Sequence, residues 1–439
     1  MHWWFRARTA EVRICWLNSR RSRLAAWLVV GIAAWAAVAQ GQSTEPLRLA
    51  DVLEIARQAN PQIDAAREHA AALRAVPAQV SSYDDPTLSW EGWNIPDSLN
   101  VGQAQNNIFR LAQKVPWPGK RTLAGTVAEH TADVAQEDIR VAQLDLDAAV
   151  KRAYYDLWLT YQTRDVLGRD KQLVERVARA AEQRYGTGEA PQTDALRAQV
   201  ELTHMTIQVD SAALAIDTAA AELNALLSRP SDDPLGVPEG PTPRPLDASI
   251  ESLTDLALQE RPELAAQRAA IAREQSGVEL AAINRRPDFE FSVGRFVNYG
   301  HNDGFGAMAS VTVPFIYTSK YDAGSAEARA RLATAEAELR RWQDRVRREV
   351  AQAYARVRTA ALQHGLTTGT HVPQAEQALR VTEGAYQSGS ADFPALLDTL
   401  RNIEAVHLQH VGAEAEWAKA NADLERAVGG ELPSPTVRP

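Results

Sequence analysis

The 439-residue sequence predicts a mostly helical α+β fold built as two similar halves, and three observations carry that reading. The first is an internal repeat. VLEIARQANPQ (52–62) returns as LTDLALQERPE (253–263), so Val52, Ile55, Ala56, Gln58 and Pro61 match Leu253, Leu256, Ala257, Gln259 and Pro262. The turn YGTGEAPQTDALRAQ (185–199) returns as YQSGSADFPALLDTL (386–400), at the same offset of 201 residues. A repeat this long implies two halves in a pseudo-twofold relation. The second observation is sustained heptad spacing in long segments poor in glycine and proline, and the third is a pair of strand-like segments in each half.

In chain order, residues 1–39 read as a signal peptide. A basic stretch (Arg6, Arg8, Arg13, Arg20, Arg21, Arg23) precedes an apolar run, Leu24–Ala39, that ends small-x-small. The run is shorter than the ~20 residues that span a bilayer. Cys15, the single cysteine, lies in this leader, so a disulfide framework or cysteine metal site is excluded from the mature chain. Cleavage removes six arginines and one glutamate and takes the formal charge from −9 to −14. Such acidity excludes nucleic acid as a partner.

The first repeat is placed at 40–228, with strands 87–96 and 106–117 and helices 118–185 and 191–228. The second is placed at 250–430, with strands 288–299 and 305–317 and helices about 320–385 and 394–428. Between them, RPSDDPLGVPEGPTPRPLDAS (229–249) is a proline-rich linker that cannot be helical. Residues 431–439 read as a disordered tail. Uninterrupted, 118–185 would be ~100 Å long. Its stripe Leu146, Val150, Ala153, Leu157, Tyr161 returns as Val346, Val350, Ala353, Val357, Ala360. The following helix carries Leu202, Met205, Val209, Ala212, Ile216, Ala219, Leu223 and Leu226 at 3-4 spacing, and Ile403, Val406, His410, Ala413, Trp417, Ala420, Leu424 and Ala427 answer it. Narrow seams with small residues predict coiled-coil packing of nearly parallel helices.

The strands of the second half alternate, and the first strand of the chain does not do so cleanly. Ala307, Ala309, Val311, Val313 and Phe315 oppose Met308, Ser310 and Thr312; Phe289, Phe291 and Val293 oppose Glu290, Ser292 and Gly294. Trp90 and Trp93 point to opposite faces. An exported chain without membrane helices crosses a bilayer only by strands, and ~10 residues suits tilted outer-membrane strands. Trp90, Trp93, Phe109, Trp117, Phe296, Tyr299, Phe315 and Tyr317 are the candidate aromatic belt. Four strands cannot close a barrel, and lipid does not tolerate open edges. Three copies would supply twelve strands, giving an outer-membrane β-barrel continued by a long coiled-coil α-helical periplasmic barrel.

These residues resemble the TolC-type outer membrane efflux proteins over roughly 47–428. The specific markers are Asn60-Pro61, the run Gln113-Lys114-Val115-Pro116-Trp117-Pro118-Gly119-Lys120-Arg121, and the turn Tyr185-x-x-Gly188…Asp194-x-Leu196-x-Ala198-Gln199. The Val-Pro-Trp-Pro-Gly-Lys-Arg form looks most like the branch serving heavy-metal cation efflux. The resemblance implies a homotrimer in outer-membrane lipid, extending into the periplasm, with a periplasmic adaptor (membrane fusion) protein and an inner-membrane resistance-nodulation-division pump as partners. It implies adaptor contact at the tips Tyr185, Gly186, Gly188, Asp194, Tyr386, Gly389, Asp392 and Asp398. The chain departs from some members of the metal branch in lacking a lipidated cysteine, and its second turn has Phe393-Pro394 where the first has Gln192-Thr193.

Threefold symmetry would turn an inward Asp392, Asp398, Asp194 or Glu189 into a carboxylate ring favouring cations. Glu404, His407, His410 and Glu414 have helical spacing that tempts a metal assignment, but His410 sits on the heptad seam and the packing reading is preferred. No nucleophile–base pair, phosphate loop or cofactor motif stands out, so neither an enzyme nor a cofactor protein is expected. Drug efflux or type I protein secretion on the same fold remains open, as does a soluble periplasmic coiled-coil adaptor or scaffold.

Overall fold

The computed structural model describes residues 46–242 and 246–433. The signal-peptide assignment, Cys15 and residues 434–439 of the tail lie outside the described residues. The first half runs α1 (Leu49–Ala59), α2 (Pro61–Val80), β1 (Thr87–Trp93), β2 (Asn106–Val115), α3 (Lys120–Gly186) and α4 (Gln192–Leu226). The second runs α5 (Ile250–Glu260), α6 (Pro262–Ile283), β3 (Phe289–Asn298), β4 (Gly304–Val311), α7 (Thr318–Leu366), a π-helical turn (Thr367–His371), α8 (Val372–Gln387) and α9 (Phe393–Val428). No helix among the described residues is long and apolar enough to cross a membrane.

The 67 residues of α3 make a rod of ~100 Å. On one stretch α3 packs against α2 and α6, on another against α4 and α9. The second long rod, α7 to α8, packs likewise against α6 and then α9. The heptad seams are the packed faces: Met205, Ala212, Ile216 and Leu223 are buried, as are Ile403, Val406, Trp417, Ala420, Leu424 and Ala427. Alanine recurs because close helix approach leaves no room for longer side chains.

Where α4 ends, α2 begins, and the joint is stitched by Asn60, whose Nδ2 donates to the Leu226 carbonyl at 3.0 Å while its Oδ1 accepts from Gln62 N–H. The second half repeats the stitch at the same offset: Arg261 Nη1 donates to the Ala427 carbonyl at 3.0 Å. The linker forms no helix among its described residues, 229–242 and 246–249. It is pinned where Leu47 pairs with the strand-like run at Val237–Glu239, and Tyr154 Oη donates to both the Leu47 and Glu239 carbonyls.

Two sequence expectations need correction. The expected helix 320–385 is not uniform, because a π-turn interrupts it at 367–371. Its origin is a phase error between the halves. The buried stripe beginning at Leu146 recurs 200 residues later at Val346, whereas Tyr185 recurs 201 residues later as Tyr386. The extra residue is absorbed by widening one turn, which is what a π-turn does. The strands are also shorter than expected. β1 stops at Trp93 because Asn94 takes a positive φ of 52°. β4 stops at Val311, before Pro314 opens a short 3₁₀ turn (Pro314–Ile316), so Val313 and Phe315 leave the alternation.

Candidate functional site

The four strands form one antiparallel sheet in the order β1-β2-β3-β4, with β1 and β4 as open edges. Its register sorts side chains into two unlike faces. Rows on the first face are Val115/Phe289/Val311, Gln113/Phe291/Ala309, Leu88/Leu111/Val293/Ala307, Trp90/Phe109/Arg295/Phe305 and Gly92/Asn107/Val297. The second face carries Thr87, Ser89, Glu91, Arg110, Lys114, Glu290, Ser292, Gly294, Gly306 and Ser310, with Ile108, Ala112 and Met308 among them. Leu88, Val293 and Phe305 on the apolar face are 75, 60 and 80% exposed, too much hydrocarbon for water to tolerate on a single sheet. From Asn107 to Val115 the face runs ~27 Å along the strand. Tilted by ~40° it stands ~20 Å tall, near the ~25 Å apolar band of outer-membrane barrels.

The eight candidate belt aromatics divide. Trp90 and Phe109 lie on the apolar face, Tyr299 in the β3–β4 hairpin, and Trp117, Phe315 and Tyr317 at the end where strands meet helices. Trp93 and Phe296 fall with the polar and small residues, because the period of two puts them one position out of phase with Trp90 and Arg295. Phe296 lies over Gly306, where a Cβ would come within 2.6 Å of its ring.

The Trp-Pro-Gly-Lys-Arg run clamps the sheet to the rods. Trp117 N–H and Lys120 Nζ both donate to Asp288 Oδ1 at 2.8 Å, and Nζ also reaches the Arg286 carbonyl. Gly119 starts α3 at φ 94°, with the Ile283 side chain 3.0 Å from where a Cβ would stand. Arg121 donates to the Ser81 carbonyl and lies 3.4 Å over the Tyr83 ring. Five consecutive residues thus tie β2, β3, α2 and α3 together.

At the opposite end, two helical hairpins turn at Gly188 (φ 79°) and Gly389 (φ 77°), each closed by the same bonds: Glu189 N–H to the Arg184 carbonyl, and Ser390 N–H to the Ala385 carbonyl. Gly186 ends α3 in helical conformation. The two tyrosines part company. Tyr185 is half exposed, whereas Tyr386 is 5% exposed, edge-on to Phe393, with Arg184 over its ring and donating to its carbonyl at 2.7 Å. Burial pushes the Tyr386 phenol up, against the pull of Arg184.

Of the candidate ring acids, Glu189 and Asp398 are exposed. Asp392 caps α9, accepting from Ala395 N–H at 3.0 Å. Asp194 is buried within the subunit, so it cannot project into a lumen.

The histidine motif is split by its surroundings. His407 Nδ1 lies 3.2 Å from Asp170 of α3, while His410 Nδ1 lies 3.3 Å from Thr368 in the π-turn and its ring stacks on His364. Burial raises the Glu404 carboxyl, which Gln208 partly offsets. Among the described residues, no three His, Cys, Asp or Glu side chains are placed to hold a metal ion.

Sequence reasoning missed a buried charge network at mid-rod. Arg261, 2% exposed, pairs with Glu263 at 2.8 Å and Glu349 at 3.0 Å; Arg426 joins Glu263 to Asp145. Burial opposes the Glu263 and Glu349 charges, but their arginines outweigh it and hold both carboxyls below the ordinary range. Arg261-Pro262 answering Asn60-Pro61 was the available signal.

The geometry has close counterparts. Residues 253–430 match the family model for outer membrane efflux proteins. The cobalt-zinc-cadmium resistance protein CzcC of Cupriavidus metallidurans is 21% identical over 395 residues, covering 88% of this chain and 91% of CzcC. Among solved structures, VceC of Vibrio cholerae is 18% identical with a TM-score of 0.73, covering 88% of this chain and 97% of VceC. CusC is 14% identical with a TM-score of 0.74, covering 87% of this chain and 92% of CusC. Residues 253–430 thus carry an outer membrane efflux protein domain, and the fold along both halves is the one seen in VceC and CusC.

Proposed function

We propose that three copies of this chain close into one conduit, and that it carries heavy-metal cations outward from an inner-membrane pump and periplasmic adaptor. The observation carrying closure is the sheet: one exposed apolar face, and two unpaired edges that hydrocarbon does not permit. The wall supports the same closure. α4 packs mainly on α3, and Leu196, Val200, Ile207 and Leu214 on its outer side are all more than half exposed. Leu362, Leu366 and Val381 on the α7–α8 rod are equally bare. Each subunit thus offers one apolar helix edge to either neighbour, as a ring of identical copies needs.

The cargo class is supported by CzcC, a cobalt-zinc-cadmium resistance protein along most of its length, and by the Val-Pro-Trp-Pro-Gly-Lys-Arg run. Adaptor contact is assigned to the exposed hairpin ends, with Tyr185, Gly188, Gly389 and Asp398 at the surface. Asp398, and Glu189 at 3.8 Å from Arg184, are the exposed acids offered to a cation-favouring ring. No step of the transport is chemical; the pump supplies the energy and the conduit gates. The test is deletion of the gene in its native host. Growth should fail on cobalt, zinc or cadmium at concentrations the parent tolerates and be unchanged on a drug and detergent panel. Loss of drug tolerance with metal tolerance intact overturns the cargo. A detergent-extracted protein that sediments as a monomer overturns the ring.

A further inference from the structure

Four side chains from three elements meet where the second half carries its extra residue. His364 in the last turn of α7 stacks on His410 of α9 with ring centroids 5.9 Å apart, and on Trp417 of α9 at 5.2 Å, both nearly parallel. Thr368 of the π-turn meets His410 Nδ1 at 3.3 Å. We propose that His410, stacked on His364, forms a proton-sensitive latch over the π-turn, holding it against α9 while the imidazole pair is neutral and releasing it when the pair takes up a proton.

The π-turn is the weak point of a ~105 Å rod. Its sequence, Thr-Thr-Gly-Thr-His, is poor in helix formers, and a π-turn marks a local departure from regular helix bonding. What fastens it sideways is therefore decisive. With its neutral ring in the Nε2–H tautomer, His410 accepts the Thr368 hydroxyl proton at Nδ1. Protonated, that nitrogen carries N–H and the hydroxyl must reverse. His364 Nδ1 is buried without a hydrogen-bond partner, so a proton there adds a donor with no protein acceptor. A charge on either ring also lies against the other imidazole.

The ionisable groups around the pair do not neutralise that charge. Burial pushes the His410 imidazole below the ordinary histidine range; His364 and His407 act in the same direction, and Glu414 alone opposes them. His407, one turn away on α9, faces Asp170 of α3, which it engages at 3.2 Å. His371 at the end of the turn is exposed. A base depressed on folding favours the packed state above its unfolded pKa, near 6.5, and the advantage is lost as pH falls through the folded value. Acid therefore loosens the turn, and α8 with its tip hairpin hangs from it.

The test is amide hydrogen exchange of the assembled protein in detergent, followed in peptides covering 362–374 and corrected for intrinsic rates. Opening should quicken about tenfold or more between about pH 7.5 and about pH 5.5, while peptides from the matching stretch of α3 stay unchanged. His364→Phe keeps a ring on Trp417 and His410→Gln keeps an acceptor for Thr368; together they should flatten the response. His407→Gln should leave it intact. A flat wild type, or a double variant that keeps the acid response, overturns the latch. Should the double variant not assemble, His410→Gln alone is read against the same outcomes. Conductance in planar bilayers is the separate arm: acid should raise it in wild type and not in the variant. The inference rests on the channel reading only there, so a protein that never conducts while its exchange responds to acid sinks the conduit and leaves the latch standing.

Discussion

The two halves solve the same joint with different chemistry. Where α4 gives way to α2, a neutral Asn60 reaches the Leu226 carbonyl and a serine, Ser228, takes the left-handed position just past the helix at φ 56°. Where α9 gives way to α6, Arg261 reaches the Ala427 carbonyl, and a glycine, Gly429, takes that position at φ 96°. The backbone roles coincide residue for residue at the offset of 201; the side chains do not. A repeat constrains geometry more tightly than identity, because an orphan carbonyl at a helix end can be met by any donor that reaches it. The charged solution then demands more. A buried guanidinium needs acids, and Glu263 and Glu349 supply them, with Arg426 and Asp145 extending the chain.

Unequal sensitivity to truncation is the largest effect this difference predicts. Arg261→Ala leaves buried Glu263 to Arg426 alone and Glu349 to Arg345 alone and should cost about 3 kcal/mol, whereas Asn60→Ala should cost about 1 kcal/mol. Thermal denaturation of the detergent-solubilised protein, followed by circular dichroism, reads the gap. Equal losses would mean the network adds nothing beyond the one carbonyl bond. Acid gives the same comparison without mutation. Glu263 and Glu349 are held below their unfolded values, so their contribution is present above the ordinary glutamate range and disappears as pH falls through the folded values. Wild type should lose melting temperature steeply below about pH 4, and Arg261→Ala should show a shallower decline.

How far the sequence exposes such features depends on their range. The heptad seams were legible because a packed helix face repeats every three or four residues, and the buried positions from Met205 to Leu223 follow it. The sheet's alternation was legible in β3 and β4 for the same reason. The strand ends were not: Asn94 breaks β1 through a backbone angle that asparagine permits but does not require. The Trp-Pro-Gly-Lys-Arg run was visible as a marker, while its work was hidden, since Asp288 lies 168 residues from Lys120 along the chain. The π-turn needed two offsets compared, 200 at the stripe and 201 at the tip, and neither alone reveals it. Asp194 misled because a turn acid looks exposed until a neighbouring hairpin covers it.

The tips extend the comparison at intermediate size. Tyr386→Ala removes a buried ring from beneath Arg184 and beside Phe393 and should cost about 3 kcal/mol of local stability. Limited proteolysis should then cut between 386 and 392 sooner than in wild type. Tyr185→Ala, at the exposed equivalent, should change stability by no more than about 0.5 kcal/mol. If that surface receives the adaptor, its loss appears instead as weakened adaptor capture. Matching proteolysis rates for the two variants would show that the hairpins are equivalent after all.

The smallest effects belong to the two left-handed positions, and they carry opposite signs. At Gly429 a Cβ would come within 3.2 Å of the Arg261 backbone nitrogen and Cα, atoms held by the buried network and unable to yield. Gly429→Ala adds that collision to the cost of a left-handed non-glycine and should destabilise by about 1–2 kcal/mol. Ser228→Gly runs the other way. It relieves a left-handed residue worth about 1 kcal/mol, but glycine gains freedom in the unfolded chain and returns about 0.5–1 kcal/mol of that relief. A rise of a degree or less in melting temperature is the expected sum. A clear loss for Ser228→Gly would mean the serine side chain contributes something at that joint beyond its backbone angle, and the halves would differ there in more than one atom's clearance.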